Sequence, residues 1–256
     1  MHMMVVGAHG ADPFDLAGGV MAKYVQAGHE VVVVVLSLGA RSHTMKAAGI
    51  EELRDLKREE LFRAAQKLGV QHVRSLDYEE DPLDLGREAL TAMVEIVREL
   101  RPDIVVSHHV SGEWVPDHSE TGKLVKHACH CAGRPGYTSL RLVHVVRNQY
   151  SFGLGVIHRG QHVIGSPPAL PTFYIDITDV IDLKIEAMME FATQQYTAEL
   201  MDRRKQAMEG HYGLDFGVDY AEPYYSLRSV LLQEFPLIGG RDNFGRTLEG
   251  GEQTAK

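Results

Sequence analysis

Residues 3–19, MMVVGAHGADPFDLAGG, decide how this chain is read. Met3 to Val6 form a short apolar run, the pattern of a buried strand. The run breaks at Gly7-Ala8-His9-Gly10-Ala11-Asp12 and resumes as an amphipathic helix from about Asp15. Leu16, Val20, Met21, Tyr24 and Val25 recur at the spacing of one helical face, and Gly28 is suited to close that helix. Glu30 to Leu38 (EVVVVVLSL) is then a continuous β-branched run, as expected of a strand buried on both faces of a parallel sheet. Strand, helix and strand in this order make a βαβ unit. In open α/β sheets, ligands bind beyond the C-terminal ends of the strands, where this turn puts His9 and Asp12.

The remaining chain extends that unit. Glu51 to Leu68 reads as an amphipathic helix stopped by Gly69, Val70 to Leu76 as a strand, and Asp77 to Asp84 as an acidic loop. Gly86 to Leu100 reads as a helix, Asp103 to Val110 as a strand, and Ser119 to Cys131 as a helix after the loop that ends in Asp117-His118. The spacing further predicts a strand over 140–146, a long loop over 147–171, a short strand over 173–177 and one helix over about 180–208. The expected fold is therefore α/β: a single domain over 1–236 with a Rossmann-like, mostly parallel sheet and helices on both faces. Residues 237–256 are expected to be a polar tail.

Bulk composition narrows the function. The chain has 256 residues, 44% hydrophobic and 24% charged, with a net charge of −9 and no long basic run. That balance argues against nucleic acid or an anionic membrane as a partner, while leaving room for a small anionic substrate held by local cations. Two cysteines, Cys129 and Cys131, lie two apart on a predicted helix and so point in different directions. A reduced cytoplasmic compartment is the expectation. The N-terminus enters a strand without a charged leader, and no apolar run reaches membrane-spanning length.

Fourteen histidines are many for this length, and imidazole is the commonest metal ligand. His9 and Asp12 at one strand end supply half of a mixed nitrogen and oxygen zinc site. His118, at the start of a helix after another strand, is the candidate third ligand, with Asp117 beside it to orient a ligand. The alternatives are a turn residue for His9 or Asp12 and a helix cap for His118. The adjacent His108-His109 pair is read as strand-end packing for at least one member. The tract His127, Cys129, His130 and Cys131 is set aside, because a helix cannot aim residues two apart at one ion. Arg41, His43 and Lys46 follow the second strand, and either face the cleft or belong to a solvated loop. Lys57-Arg58-Glu59-Glu60 is read chiefly as a solvated helix face from which one or two residues reach the site.

Ala8-His9-Gly10-Ala11-Asp12, Ala17-Gly18-Gly19, the stretch from Lys57 to Val70, and Asp117-His118 together resemble the LmbE/PIG-L family. The resemblance covers about the first 200 residues and implies a zinc site, or one for another divalent metal, made by His9, Asp12 and His118. Most characterised members are deacetylases of N-acetylglucosamine derivatives. Their motif carries a carboxylate as general base where this chain has Ala11, and a histidine near the oxyanion where it has Val115. Amide hydrolysis needs both groups. The Ala-His-x-Ala-Asp pattern, with Leu36 to Gly39 and Tyr174 to Thr178, is similar to the family's 4-oxalomesaconate hydratase (GalB-like) branch. That branch implies hydration of a carbon–carbon double bond in an unsaturated oxo-carboxylate of aromatic-acid catabolism. The resemblance makes Arg41, Lys46 and Arg58 candidates to hold carboxylates. It leaves His43, Glu113, Asp117 and His158 as candidates for proton transfer, and a homo-oligomer as the expected state. The alternatives are a divergent deacetylase and, more distantly, a non-catalytic binding module.

Overall fold

The computed structural model describes residues 1–41, 49–80, 82–111, 115–137, 139, 141–153 and 171–227. His43, Lys46, Glu113 and His158, together with the tail over 237–256, lie outside the described residues. Strands β1 (His2–Gly7), β2 (Glu30–Val35), β3 (His72–Ser75), β4 (Ile104–Ser107) and β5 (Asn148–Phe152) pair in parallel in the order β3-β2-β1-β4-β5. Strands β6 (Phe173–Asp176) and β7 (Ala221–Ser226) complete a seven-stranded sheet, with β7 antiparallel to both β5 and β6.

Side-chain alternation along these strands builds two cores. Met3, Val5, Val31, Val33, Val35 and Val106 face helices α1 (Asp12–Gln26), α2 (Ile50–Leu68) and α5 (Ile181–Met189). Met4, Val6, Val32, Val34 and Val105 face α3 (Arg87–Leu100) and α4 (Pro116–Ala132) on the other side. Burial on both faces is what the unbroken valine run requires. Each fully buried valine or methionine removes apolar area worth roughly 1.5–3 kcal/mol from water. No helix among the described residues is long and apolar enough to cross a membrane.

The helices change sides between β1 and β4. The chain runs outward from β1 through β2 to β3, then returns to place β4 on the opposite side of β1. The loops leaving β1 and β4 therefore diverge over a crevice at the topological switch point. His9 leaves β1, whereas His108 follows β4 and His118 stands in the first turn of α4.

Three expectations from the sequence need correction. The strand expected over 140–146 is absent: 142–147 run without strand pairing, and the register beside β4 is filled by β5, inside the expected loop. The His144 amide instead donates to the Ala132 carbonyl at 3.1 Å, and Leu142 is left 82% exposed. The single helix expected over 180–208 is broken. α5 ends at Met189, a 3-10 turn covers Ala192–Gln194, and Gln195 adopts a left-handed backbone with φ 56°. Glu60 causes the break by accepting both the Thr193 amide (2.8 Å) and its hydroxyl (2.7 Å), replacing helical partners. Thr197 then caps α6 (Ala198–Lys205), which passes through a π turn (Gln206–Gly210) into α7 (His211–Leu214). Finally, β7 was not anticipated at all. Glu222 and Pro223 in its middle argue against a strand, yet both sit inside the sheet.

Candidate metal centre

The β1–α1 turn is held by Asp12 itself, whose Oδ2 accepts the His9 amide at 2.8 Å. This closes the turn and aims the His9 ring and the Asp12 carboxylate at one point. Helix α4 supplies His118 from the other side of the crevice, and Gly122 lets it approach: a Cβ there would lie 2.5 Å from the His108 carbonyl. Asp12 Oδ2 lies 3.5 Å from His9 Nδ1 and 3.6 Å from His118 Nε2. One donor atom from each of the three side chains falls within 4.8 Å of the others. The structure thus brings together the three residues the sequence offered as ligands.

Groups behind the triad fix its orientation. His9 Nε2 lies 3.3 Å from Asp117 Oδ2, so the ring can donate there while Nδ1 faces the centre. Asp117 is buried, and its other oxygen accepts the Leu83 amide at 2.9 Å. This geometry makes Asp117 the orienter of His9, turned away from the cavity where a proton-transfer residue would act. His108 is the residue the sequence reading undervalued. It is fully buried, its Nε2 lies 3.1 Å from Asp12 Oδ2, and its ring stacks on His118 with centroids 4.1 Å apart. The signal was its place at the end of the strand beside β1. His109 is instead turned out, with Nδ1 beside the Ser111 backbone.

A metal ion suits these residues. Burial opposes charge on His9, but hydrogen bonds and the negative charges of Asp117 and Asp12 push its pKa up to about 10. Burial likewise opposes charge on Asp12, while His118, His108 and His9 hold its pKa well below the ordinary carboxylate range. The centre thus carries concentrated negative potential that a cation neutralises. Two imidazoles and one carboxylate are the donor types of catalytic zinc sites, which use three protein ligands and keep a position open.

The triad borders a cavity of about 270 Å³ lined by His9, Asp12 and His118 with Ala11, Val115, Lys57 and Gln194. Lys57 corrects the reading of its helix. The buried face of α2 runs through Leu53, Lys57, Glu60, Leu61 and Ala64, so Lys57 points inward and Arg58, one position on, points out. Arg58 pairs with Asp55 at 2.8 Å and Asp77 at 3.1 Å, and Arg41 pairs with Glu79. Neither arginine lines the cavity. Burial lowers the Lys57 pKa, against the charges of Glu60, Glu80 and Asp12.

The Ala17-Gly18-Gly19 segment serves packing. Helix α1 kinks at Ala17 (φ −143°), and Cβ atoms at Gly18 and Gly19 would meet Lys184 Cγ at 2.9 Å and Ile177 Cγ2 at 2.7 Å.

Comparison with known proteins agrees with this geometry. Residues 4–129 match the PIG-L family of GlcNAc-PI de-N-acetylases. The chain is 27% identical over 218 residues to a 4-oxalmesaconate hydratase of Pseudomonas putida, covering 78% of this chain and 76% of that protein. It is 26% identical over 226 residues to a diacetylchitobiose deacetylase of Thermococcus kodakarensis, covering 86% and 80%. The crystal structure of GalB, the 4-carboxy-2-hydroxymuconate hydratase of P. putida, superposes with a TM-score of 0.78 at 26% identity, over 92% of this chain and 99% of that one. Hydratase and deacetylase relatives thus stand at similar distance. With the sheet order and the triad, these matches show a PIG-L/LmbE family domain over residues 4–129, in a family of enzymes.

Proposed function

We propose that the chain is a zinc-dependent hydratase that adds water to a carbon–carbon double bond of an unsaturated oxo-carboxylate resembling 4-oxalomesaconate. The observation that carries this reading is the cavity wall. A complete donor triad stands beside Ala11 and Val115, so the wall is apolar where the resemblance puts a deacetylase's base and oxyanion histidine. Among the described lining residues, the only carboxylate is Asp12, which belongs to the triad. Amide hydrolysis would lack a base there. His9, Asp12 and His118 would hold the ion, which when bound would polarise a substrate oxygen or acidify a water molecule. Asp117 keeps the His9 ring oriented, and His108, stacked on His118 and accepting the Ala8 amide, packs behind Asp12.

A deacetylase is the second reading, favoured by the family match and by the Thermococcus relative. The test follows 4-oxalomesaconate by its ultraviolet absorbance with zinc-loaded protein and with His118→Ala. Loss of the conjugated chromophore, abolished by the substitution, is the expected result. An unchanged chromophore together with acetate release from N-acetylglucosaminides would overturn the hydratase reading in favour of the deacetylase.

A further inference from the structure

We infer that Lys57 anchors a carboxylate of the substrate, in the cavity that the metal triad borders, and thereby sets the preference of the site for anions. The inference deepens the hydratase reading and rests on it for the identity of the anion. Lys57 is 4% exposed, yet its side chain borders the cavity that the triad opens into. A buried ammonium needs partners, because an unpaired charge away from water is strongly unfavourable. The carboxylates around it act on it by charge, while their oxygens face other donors. Glu60 accepts the Thr193 amide and hydroxyl, one at each oxygen, and Glu80 Oε1 accepts the Arg41 amide at 2.6 Å. Among the described residues no carboxylate lies within 4 Å of Lys57 Nζ, whereas its neighbours Arg54 and Arg58 are both paired. Lys57 is also the one Lys or Arg among the described lining residues. Among the described residues the cavity thus presents an ammonium with carboxylates nearby but no direct ion pair, next to an otherwise apolar stretch of wall.

The same helix turn fixes the opposite lip. By holding Thr193, Glu60 places Phe191 and Gln194 on the cavity wall, three residues along α2 from Lys57. Ammonium, side-chain amide and metal donors therefore border one volume of about 270 Å³, suited to a small acid carrying carboxylates at separate positions.

The test is isothermal titration of zinc-loaded protein with tricarballylate, a saturated tricarboxylate that cannot be hydrated, using wild type, Lys57→Met, Lys57→Gln, Lys57→Arg and Arg58→Ala. Zinc content of each variant reports whether the centre is intact. Loss of a charged hydrogen bond predicts roughly 10- to 100-fold weaker binding for Lys57→Met and Lys57→Gln. Lys57→Arg should keep most of the affinity and Arg58→Ala all of it. Wild-type affinity in the zinc-replete Met or Gln variant, or no tricarballylate binding by wild type, overturns the inference. The two readings separate cleanly. Tricarballylate binding that depends on Lys57, with no turnover of 4-oxalomesaconate, leaves the anchor standing and sinks the hydratase. Hydration whose KM is unchanged in Lys57→Met does the reverse.

Discussion

Two buried clusters of charge lie on either side of helix α1, and they are built to opposite ends. At the C-terminal side of β1, the Asp12 carboxylate and the imidazoles of His9 and His118 bring their ligand atoms together and open to a cavity, with His108 behind them. On the other side, Lys184 donates to Glu209 at 2.7 Å and to Glu222 at 2.8 Å. Glu222 also accepts the Gly19 and Val20 amides, each at 2.9 Å, and the Tyr224 hydroxyl at 2.8 Å. Those amides are the free donors at the kink in α1, so Glu222 caps the second half of the helix from a neighbouring strand. Burial works against the Lys184 charge, and Glu209 and Glu222 hold its pKa above the ordinary value. Every partner in this cluster points inward. A buried ion network closed on itself serves architecture, whereas one left open toward a cavity serves a ligand.

The largest effect expected from this contrast is on stability. Lys184→Met strands two buried carboxylates and should cost about 3–5 kcal/mol, read as a shift in urea midpoint at unchanged slope. In the metal-free protein His118→Ala should cost far less, since its centre has a solvent path through the cavity. Equal losses from the two substitutions would erase the distinction between the clusters. Next in size is Asp117→Asn, which keeps the acceptor for the Leu83 amide while removing the charge behind His9. Zinc affinity should fall roughly 10- to 100-fold, measured by competition with a chelator, with little change in unfolding.

These two clusters also mark how far the sequence could be read. His9, Asp12 and His118 were legible because each sits at a strand end or helix start, where α/β topology concentrates function. The valine runs made the parallel half of the sheet legible for a similar reason, since burial on both faces leaves no polar alternation. The second cluster was not legible. It joins Lys184, Glu209 and Glu222 across long separations, and its strand contains a glutamate and a proline that local propensity counts against. Helix phase was the other obstacle. Lys57 and Arg58 are neighbours in a charged run, and only the packing of α2 shows that the first turns inward. The break in the helix expected over 180–208 likewise depends on Glu60, more than 100 residues away.

The open cluster should further betray itself by its response to pH. The folded-state pKa of His9 is raised above its ordinary 6.5 to about 10. Its charged form therefore contributes stability to the metal-free protein that is complete below pH 6.5 and is lost as pH rises toward 10. Zinc must displace that proton, so affinity should climb with pH across this window, by up to about tenfold per unit. Proton release on zinc binding, followed in two buffers of different ionisation enthalpy, checks this directly. Binding without proton release near neutral pH would show that His9 is already neutral and that Asp117 does not hold it charged.

The smallest effect should come from Arg58, the charge that stands beside Lys57 in sequence and away from it in space. Its partners Asp55 and Asp77 are 76% and 49% exposed, so the pairs are screened by solvent. Exposed ion pairs are worth about 0–1 kcal/mol, and Arg58→Ala should move the urea midpoint no further than that. Zinc affinity and turnover should be unchanged, because the guanidinium neither orients a ligand nor borders the cavity. A loss of turnover in Arg58→Ala comparable to that in Lys57→Met would mean that α2 rotates when substrate binds. The inward and outward faces of the helix would then have to be reassigned.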